Sequence, residues 1–490
     1  MSHLTLLWFR DDLRVTDHEA LTAARRDGPV VALWIREQRD AHGLGPRPLG
    51  GATRWWAHRS LRVLEGELGR LGIPLLLAAG RAAEVLPAVA EGLQATAVRW
   101  SRRYAPASRA LDRELKEQLS ARGLQVHSHP GFLLAEPQRV LNGSGEHYKV
   151  FTPFWKAAAQ MPIGEVLPEP APQLAPDGLE DRIAGLRRDG AVIGLEELGL
   201  LDGTGTGSGA HAAEDVPQWW RGTLDQHWEP GCVDAARRLE DVGTGVDGYA
   251  QSRDIPGDEL STSRMSPRLR FGEVSPRQLV QAAREDGDLA EADREAWLRQ
   301  VYWREFSWNF RYHVEDLERE PMRPQFRHFP SVPDEQSLRA WQRGLTGVPL
   351  VDAGMRQLWQ SGWVHNRVRL VVGSFLTKNL LQPWWDGEQW FWDTLVDADE
   401  ANNPVSWQWV AGCGADAAPY FRVFNPQTQR ERFDPDGVYV RHWVPAALEP
   451  LSGYPEPIVD LQESRRHALD AYAAMKEVEP GRASTAWTGS

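Results

Sequence analysis

Short apolar runs alternate with longer amphipathic stretches over the first 130 residues. LTLLWFR (Leu4 to Arg10) is a continuous apolar run ending in charge, as a buried strand does when it delivers polar residues to a sheet edge. PVVALWI (Pro29 to Ile35), IPLLLAA (Ile73 to Ala79) and AVRW (Ala97 to Trp100) repeat that pattern. Between them, ATRWWAHRSLRVLEGELGRLG sets Trp55, Leu61, Leu64 and Leu68 at helical spacing and stops at Gly72. Strand alternating with helix predicts an α/β domain over residues 1–130, built on a doubly wound parallel sheet. No G-x-G-x-x-G follows the first strand, so the dinucleotide fingerprint is absent.

From Met161 to Asp215 the chain is rich in Pro, Gly, Asp and Glu, including DGTGTGSG, which reads as a surface connection with room for one short helix. Residues 131–215 are therefore expected to link two domains. Beyond Pro217 the pattern turns helical. Leu350, Val351, Met355, Leu358 and Trp359 share one face, and Val368, Val371, Val372, Phe375 and Leu376 make another stripe. Residues 216–476 predict a large all-α domain, and 477–490 a disordered tail.

Composition narrows the function. At 42% hydrophobic and 25% charged the chain is ordinary for a globular protein, and no apolar run approaches the roughly 20 residues of a membrane span. The start lacks a basic region and runs into Asp11 and Asp12, unlike a secretory signal, so a cytoplasmic protein is expected. Cys232 and Cys413 are too few for a disulfide framework or a cysteine-rich metal site. A net charge of −13 argues against bulk polyanion binding, yet 50 of the 55 basic residues are Arg, a planar cation matched to phosphate wherever a local patch forms. Trp supplies 23 of the 46 aromatic residues, mostly in the C-terminal half. Indole is awkward core filler because its N–H needs a partner, so some of these rings are expected to stack on flat ligands or carry electrons.

Three segments carry candidate chemistry. In STSRMSPRLRFGEVSP (Ser261 to Pro276), Ser266-Pro267 and Ser275-Pro276 read as capping hydroxyls before a proline, and with Thr262, Ser263 and Arg264 they could face a phosphate. Asp397 and Asp399 could pair as acid and base, but no nucleophile or metal set accompanies them, which favours capping or ligand hydrogen bonds. His365 stands alone and reads as a hydrogen-bonding residue.

Taken together, WFRDDLR (Trp8 to Arg14), RWW (Arg54 to Trp56), YKVFTPFW (Tyr148 to Trp155), TSRMSPRLRFGEVSPRQ, WREF (Trp303 to Phe306), GWVHNRVRL (Gly362 to Leu370) and SWQWVAGCGADAAPYFRVFNP (Ser406 to Pro426) resemble the DNA photolyase/cryptochrome family. RPLGGATRWW and WQWVAGCGADAAPYFR are most similar to its bacterial class III cyclobutane-dimer photolyases. The resemblance implies an N-terminal antenna domain and a helical domain holding FAD, which serves light-driven splitting of cyclobutane pyrimidine dimers in DNA. Tyr249, Thr262, Ser263, Arg264, Met265, Ser266, Arg304, Arg369, Asp397 and Asp399 would then contact the flavin, with Asn403 facing its N5. Asn rather than an acid at that position favours repair over photoreceptor signalling. Trp303 and Trp409 would wall the lesion pocket, with Gln300, Asn366 and Leu370 inside it. Arg304, Arg367 and Arg422 would meet phosphates or the rim, and Trp407 and Trp384 would relay electrons.

The chain departs from that pattern in three places. Gln300 stands where Glu is usual, a feature shared with (6-4) photolyases; Leu370 replaces a Met; and the third relay Trp falls at Ser331, which points to another route through Trp385, Trp390 or Trp392. An Asn-Glu pair that holds folate in other members aligns with Ala107 and Ser108, yet methenyltetrahydrofolate remains the expected antenna, with a deazaflavin as alternative. Ultraviolet-damaged DNA is the expected partner of a monomeric protein, nucleoid-associated when bound to damage. A cryptochrome-type blue-light photoreceptor and a (6-4) photolyase are the competing functions. A dark flavin oxidoreductase lacks any nicotinamide fingerprint.

Overall fold

The computed structural model describes residues 3–202, 218–240, 246–258, 262–416, 421–448 and 453–477. Five parallel strands form one sheet in the order β3-β2-β1-β4-β5: β1 (Thr5–Phe9), β2 (Val30–Glu37), β3 (Leu75–Gly80), β4 (Ala97–Ser101) and β5 (Gln125–His129). Four of these are the apolar runs of the sequence. The fifth, QVHSH, lies at the sheet edge with alternating exposure, so it carries no apolar run to announce it. The helix Gly51–Arg70 buries Trp55, Leu61, Leu64 and Leu68, the stripe its spacing predicts. The sheet is wound outward from β1 in both directions, so Arg10, Asp11 and Arg36–Arg39 emerge together at the carboxyl ends of the strands, where open α/β sheets bind ligands.

The helical unit includes Glu291–His313, Pro349–Ser361, Asn366–Ser374, Trp384–Thr394 and Asn402–Ala411. Its core joins Val351, Met355 and Leu358 to Val368, Val371, Val372, Phe375 and Leu376, with Trp341, Phe391 and Trp407 between them. Two consecutive helices thus bury the faces read from the sequence.

The connecting stretch is more than a surface strap. Helix Leu179–Arg188 buries Leu179, Ile183 and Leu186 in the same cluster as Leu86, Leu93 and Leu115, and Ile193 bridges to Leu77 beside β3. Helix Phe151–Ala158 packs Phe151 and Phe154 with Tyr302, Phe306 and Phe310. Each has an apolar stripe at i, i+3/i+4 and i+7, short enough to be hidden by surrounding Pro and Gly. Most of DGTGTGSG and nearly all of the C-terminal tail lie outside the described residues.

The two units share a buried seam. Trp56 Nε1 (2.7 Å), Ser60 Oγ and Gly231 N (2.9 Å) all donate to Glu273 Oε1. Burial pushes the Glu273 carboxyl up to about 7. Gly272, at φ 61°, lies so close to the Asp11–Asp12 backbone that no side chain fits there.

Candidate active site

Asp397 is the point where three distant segments meet. Its side chain is 5% exposed, and Oδ2 accepts from Ser266 Oγ (2.6 Å) and Arg369 Nη2 (2.8 Å). Oδ1 is buried with no partner among the described residues. Asp399, two residues on, is used differently: it accepts from Ala401 N (2.8 Å), Asn402 N (2.5 Å) and Asn402 Nδ2 (2.6 Å). It thereby fixes the start of the helix that carries Asn403. Burial raises its pKa. The pair is one open acceptor beside one structural cap, which is not the geometry of an acid–base couple.

The capping expectation holds at only one of the two Ser-Pro sites. Ser275 caps Pro276–Glu285 in a reciprocal box with Gln278, whereas Ser266 lies inside the turn Ser266–Arg270 and spends its hydroxyl on Asp397. Ser263 Oγ accepts from Trp297 Nε1 at 3.2 Å. Arg264, at φ 50°, lies over the Trp228 and Trp363 rings, Met265 is buried, and Thr262 is half-buried alongside. Tyr249 is buried beneath Arg253.

Arg304 corrects one expectation. It is 7% exposed, donates to Phe132 O (3.1 Å) and Glu305 Oε1 (3.2 Å), and lies 4.4 Å over the Phe132 ring, so it cannot stand at a DNA-facing rim. Its Nη2 is buried without a partner among the described residues. That orphan donor, the orphan Asp397 oxygen and the hydroxyls of Thr262, Ser263 and Ser266 fit a ligand such as FAD, which offers phosphates, ribityl hydroxyls and a ring imide.

Asn403 is buried, with Nδ2 donating to Glu388 O (2.9 Å) and Glu388 Oε1 (2.8 Å). Glu388 is in turn gripped by Arg47 of the sheet unit at 2.7 Å. Neither Glu388 nor Arg47 was given a role from the sequence: Glu388 lies inside WWDGEQWFW, which carries no motif, and Arg47 opens RPLGGATRWW, whose resemblance named no contact for it.

Two aromatic surfaces stand over a second region. Trp303 stacks face to face on Phe151, with centroids 3.7 Å apart and planes at 5°. Phe151 N donates to Asp416 Oδ2 (3.4 Å), and Asp416 O accepts from Trp409 Nε1 (3.2 Å), so a short bridge links the two half-buried indoles. Gln300 Oε1 accepts from Arg253 Nη2 (3.2 Å), while its Nε2 donates to Ala296 O (3.0 Å). Arg253 was missed. Arg367 pairs with Asp254 (2.5 Å) and covers Phe433, Asn366 is exposed, and Leu370 is half-buried. His365 Nδ1 accepts from Arg367 N as an N-cap, and burial lowers its pKa to about 4, which keeps the ring neutral. Arg422 is exposed, and Lys378 Nζ donates to its carbonyl.

The indoles make several close ring pairs. Trp407 meets Trp341 edge-on at 6.2 Å and Phe391 at 4.9 Å. Trp384 meets Trp385 at 5.9 Å, and Trp390 stacks on Trp359 at 5.9 Å. Trp392 donates to Pro48 O under the Arg47 guanidinium, and Ser331 is exposed.

A cavity of about 310 Å³ opens at the strand ends, lined by Arg10, Arg36, Glu37, Arg47, Arg103 and Glu400 among others. Arg10 and Arg103 share Asp112, and Arg103 also pairs with Glu37 at 2.6 Å. Arg10 Nη2, Arg103 Nε and Glu37 Oε2 are buried without partners among the described residues. Ser108 is 1% exposed and does not line the cavity. Among the described residues no group of His, Cys, Asp and Glu could hold a metal ion, and no helix is long and apolar enough to cross a membrane.

Residues 5–175 match the DNA photolyase family, and residues 297–474 match the FAD binding domain of DNA photolyase. The chain is 40% identical to the deoxyribodipyrimidine photo-lyase of Agrobacterium fabrum, over 96% of this chain and 98% of that one. It is 33% identical to cryptochrome-1 of Arabidopsis thaliana, over 99% of this chain and 72% of the relative. The crystal structure of a bacterial class III photolyase from Agrobacterium tumefaciens superposes with a TM-score of 0.86 at 39% identity, covering 97% of this chain and 98% of that one. An archaeal photolyase from Sulfolobus tokodaii, solved with two FAD molecules, gives 0.77 at 25% identity, over 96% of this chain and all of that one.

Proposed function

This chain belongs to the DNA photolyase family, and from that premise we propose that it repairs cyclobutane pyrimidine dimers in DNA under blue light. The observation that carries the reading is the orphan Asp397 oxygen, which lies where Ser266 and Arg369 converge in a chain that has an FAD-binding domain. When bound, reduced and illuminated FAD supplies the electron that opens the cyclobutane ring and takes it back, so the repair is redox-neutral.

The chain's own groups do the rest. Asp397 would hold the flavin through its open oxygen, an acceptor suited to a ring N–H, while Arg369 and Ser266 hold the carboxylate still. Thr262, Ser263 and the buried Arg304 face its polar chain. Tyr249 and Met265 pack alongside, with Arg264 turning the backbone between them. Trp303, stiffened by Phe151, and Trp409 sandwich the extruded pyrimidine pair, keep water out and make the lesion the preferred occupant, since a distorted pair unstacks at least cost. Asn366 donates to the pair. Gln300 turns from Arg253 to do the same, a neutral amide in place of the usual acid. Leu370 fills the pocket wall. Arg367, shared with Asp254, and exposed Arg422 take DNA phosphates. Trp407 and Trp384 deliver reducing electrons to the flavin, with Trp385 as the continuation that Trp384 already touches. Exchanging Trp384, Trp385 and Trp390 singly for Phe and following flavin photoreduction tests that route; slowing by the first two alone is expected.

The cavity at the strand ends holds an antenna chromophore, with methenyltetrahydrofolate as the first choice and a deazaflavin as the second. Its paired Arg and Glu side chains offer donors and acceptors to a polar heterocycle, and the S. tokodaii photolyase carries a second flavin. The protein acts as a monomer on chromosomal DNA.

The deciding experiment gives photoreduced protein an oligonucleotide with one cyclobutane dimer, in blue light and in the dark. Light-dependent recovery of the intact bases is expected. Splitting of (6-4) lesions alone would assign Gln300 to that substrate, and no repair of either would favour a photoreceptor like the plant relatives.

A further inference from the structure

We propose that Arg47, on the sheet unit, is a positioning residue for the flavin: acting through Glu388, it fixes the Asn403 amide with Oδ1 turned outward to the cofactor. The inference rests on the FAD reading above. Arg47 Nη1 and Nη2 fork onto Glu388 Oε1 (2.7 Å) and Oε2 (3.1 Å), and Nη2 also reaches Gln389 Oε1 (2.8 Å). The guanidinium lies 4.0 Å over the Trp392 ring, and Arg47 N donates to Glu400 Oε1 (2.8 Å). The loop cannot drift, because Gly50 abuts the Trp392 backbone too closely for any side chain. The Glu388 side chain is 2% exposed, so the fork is made out of water, where its geometry is decisive.

Asn403 Nδ2 faces two Glu388 oxygens, the backbone carbonyl (2.9 Å) and Oε1 (2.8 Å). A carbonyl accepts only, and so does a carboxylate forked by a guanidinium. The amide must therefore present its NH2 to both, and Oδ1 is left facing away. Oδ1 takes no hydrogen bond from the described residues. An outward acceptor suits a flavin whose N5 carries hydrogen, as in the reduced form, and repels the bare N5 lone pair of the oxidised form. Without Arg47, the Glu388 carboxylate loses its fork, is no longer held in one orientation, and ceases to fix the amide.

The sheet unit thus reaches 341 residues along the chain to bias the redox state of a cofactor held by the helical unit. The test is a spectroelectrochemical titration of bound FAD in the wild type, Arg47→Met, Arg47→Lys and Glu388→Gln, with FAD content measured first. Losing one oriented hydrogen bond shifts the oxidised-to-reduced equilibrium by about tenfold, or about 30 mV lower for a two-electron couple, in Arg47→Met and Glu388→Gln. Arg47→Lys, which keeps a cation beside Glu388, recovers most of the shift. Should Arg47→Met fail to fold, the isosteric Glu388→Gln carries the test. Full FAD content with a wild-type potential in both overturns the proposal. A wild type that binds no FAD overturns the reading beneath it as well.

Discussion

In the sheet unit the charges around the cavity are already matched: Arg10 and Arg103 divide Asp112, Arg103 reaches on to Glu37, and Arg47 closes on Glu388. In the helical unit Asp397 keeps one buried oxygen open, Arg304 keeps one buried donor open, and Arg422 is exposed. Both regions keep open valences, since Arg10 Nη2, Arg103 Nε and Glu37 Oε2 are likewise buried without partners among the described residues. They differ in kind: the cavity charges interlock as three ion pairs, whereas Asp397 rests on one Arg and one hydroxyl. A ligand of the cavity would meet a network that holds without it, and the flavin of the proposed function would meet an acceptor oxygen with no other partner among the described residues.

The sharpest way to break that contrast is Asp397→Ala. It strands Ser266 and Arg369 and removes the open acceptor. Losses of about 3–5 kcal/mol are usual when one partner of a buried charge pair is deleted. FAD retention should fall about a hundredfold or more, read as the flavin-to-protein absorbance ratio after gel filtration. Glu37→Gln, the matching change in the cavity, should leave that ratio unchanged and weaken only the second chromophore, by about tenfold or less. Equal losses in both would erase the distinction.

The seam between the units supplies the next effect. Burial lifts Glu273 from its ordinary 4.5 to about 7, so the folded protein binds a proton there that the unfolded chain releases. The stability this contributes is fully present below about pH 4.5 and is lost as the pH rises to 7. At about 1.4 kcal/mol per unit, the loss is up to about 3 kcal/mol. Glu273→Gln keeps an acceptor for Trp56, Ser60 and Gly231 and should flatten that slope in denaturant melts across the same window.

Within the helical unit, Trp303→Ala and Trp409→Ala separate lesion from cofactor. Each should weaken binding of dimer-containing DNA by about 1–3 kcal/mol, roughly 5–150-fold in a gel shift, because each removes one stacking face. FAD content should not change.

How much of this was legible follows from where each signal lives. The four buried strands and the helix of Trp55, Leu61, Leu64 and Leu68 declared themselves because burial is written as period. Edge strand β5 did not, since half-exposed QVHSH looks like any polar loop. In the site, Asp397, Asn403, Trp303 and Trp409 lie in dense motifs, so they could be named in advance. Glu388, Arg47 and Arg253 act by reaching across the fold to a named residue, and sequence spacing holds no trace of such a reach. Of the two roles assigned to Arg304 from the sequence, flavin contact and DNA rim, only the rim is contradicted: Arg304 adjoins Trp303 in the chain, but helical geometry turns it inward.

Arg422 gives the smallest effect and tests whether the open side of the molecule binds DNA by charge or by shape. A protein of net charge −13 repels DNA at long range, so affinity must come from a local face. Arg422, which the proposed function assigns to that face, is exposed; Lys378 Nζ donates to its carbonyl, and burial lowers the Lys378 pKa to about 7. Lys378 therefore serves the loop as a hydrogen-bond donor more than as a surface cation. Arg422→Ala takes one cation away from the DNA backbone. It should reduce the slope of log affinity against log salt by about 0.9 and lower affinity a few-fold at moderate salt. Damaged and undamaged duplex should weaken by the same factor, because a phosphate carries no record of the lesion. Trp303→Ala, by contrast, should weaken damaged duplex alone. If Arg422→Ala lowers discrimination instead of overall affinity, its guanidinium reads the extruded bases, and the division between an indole wall that selects and an arginine rim that holds is wrong.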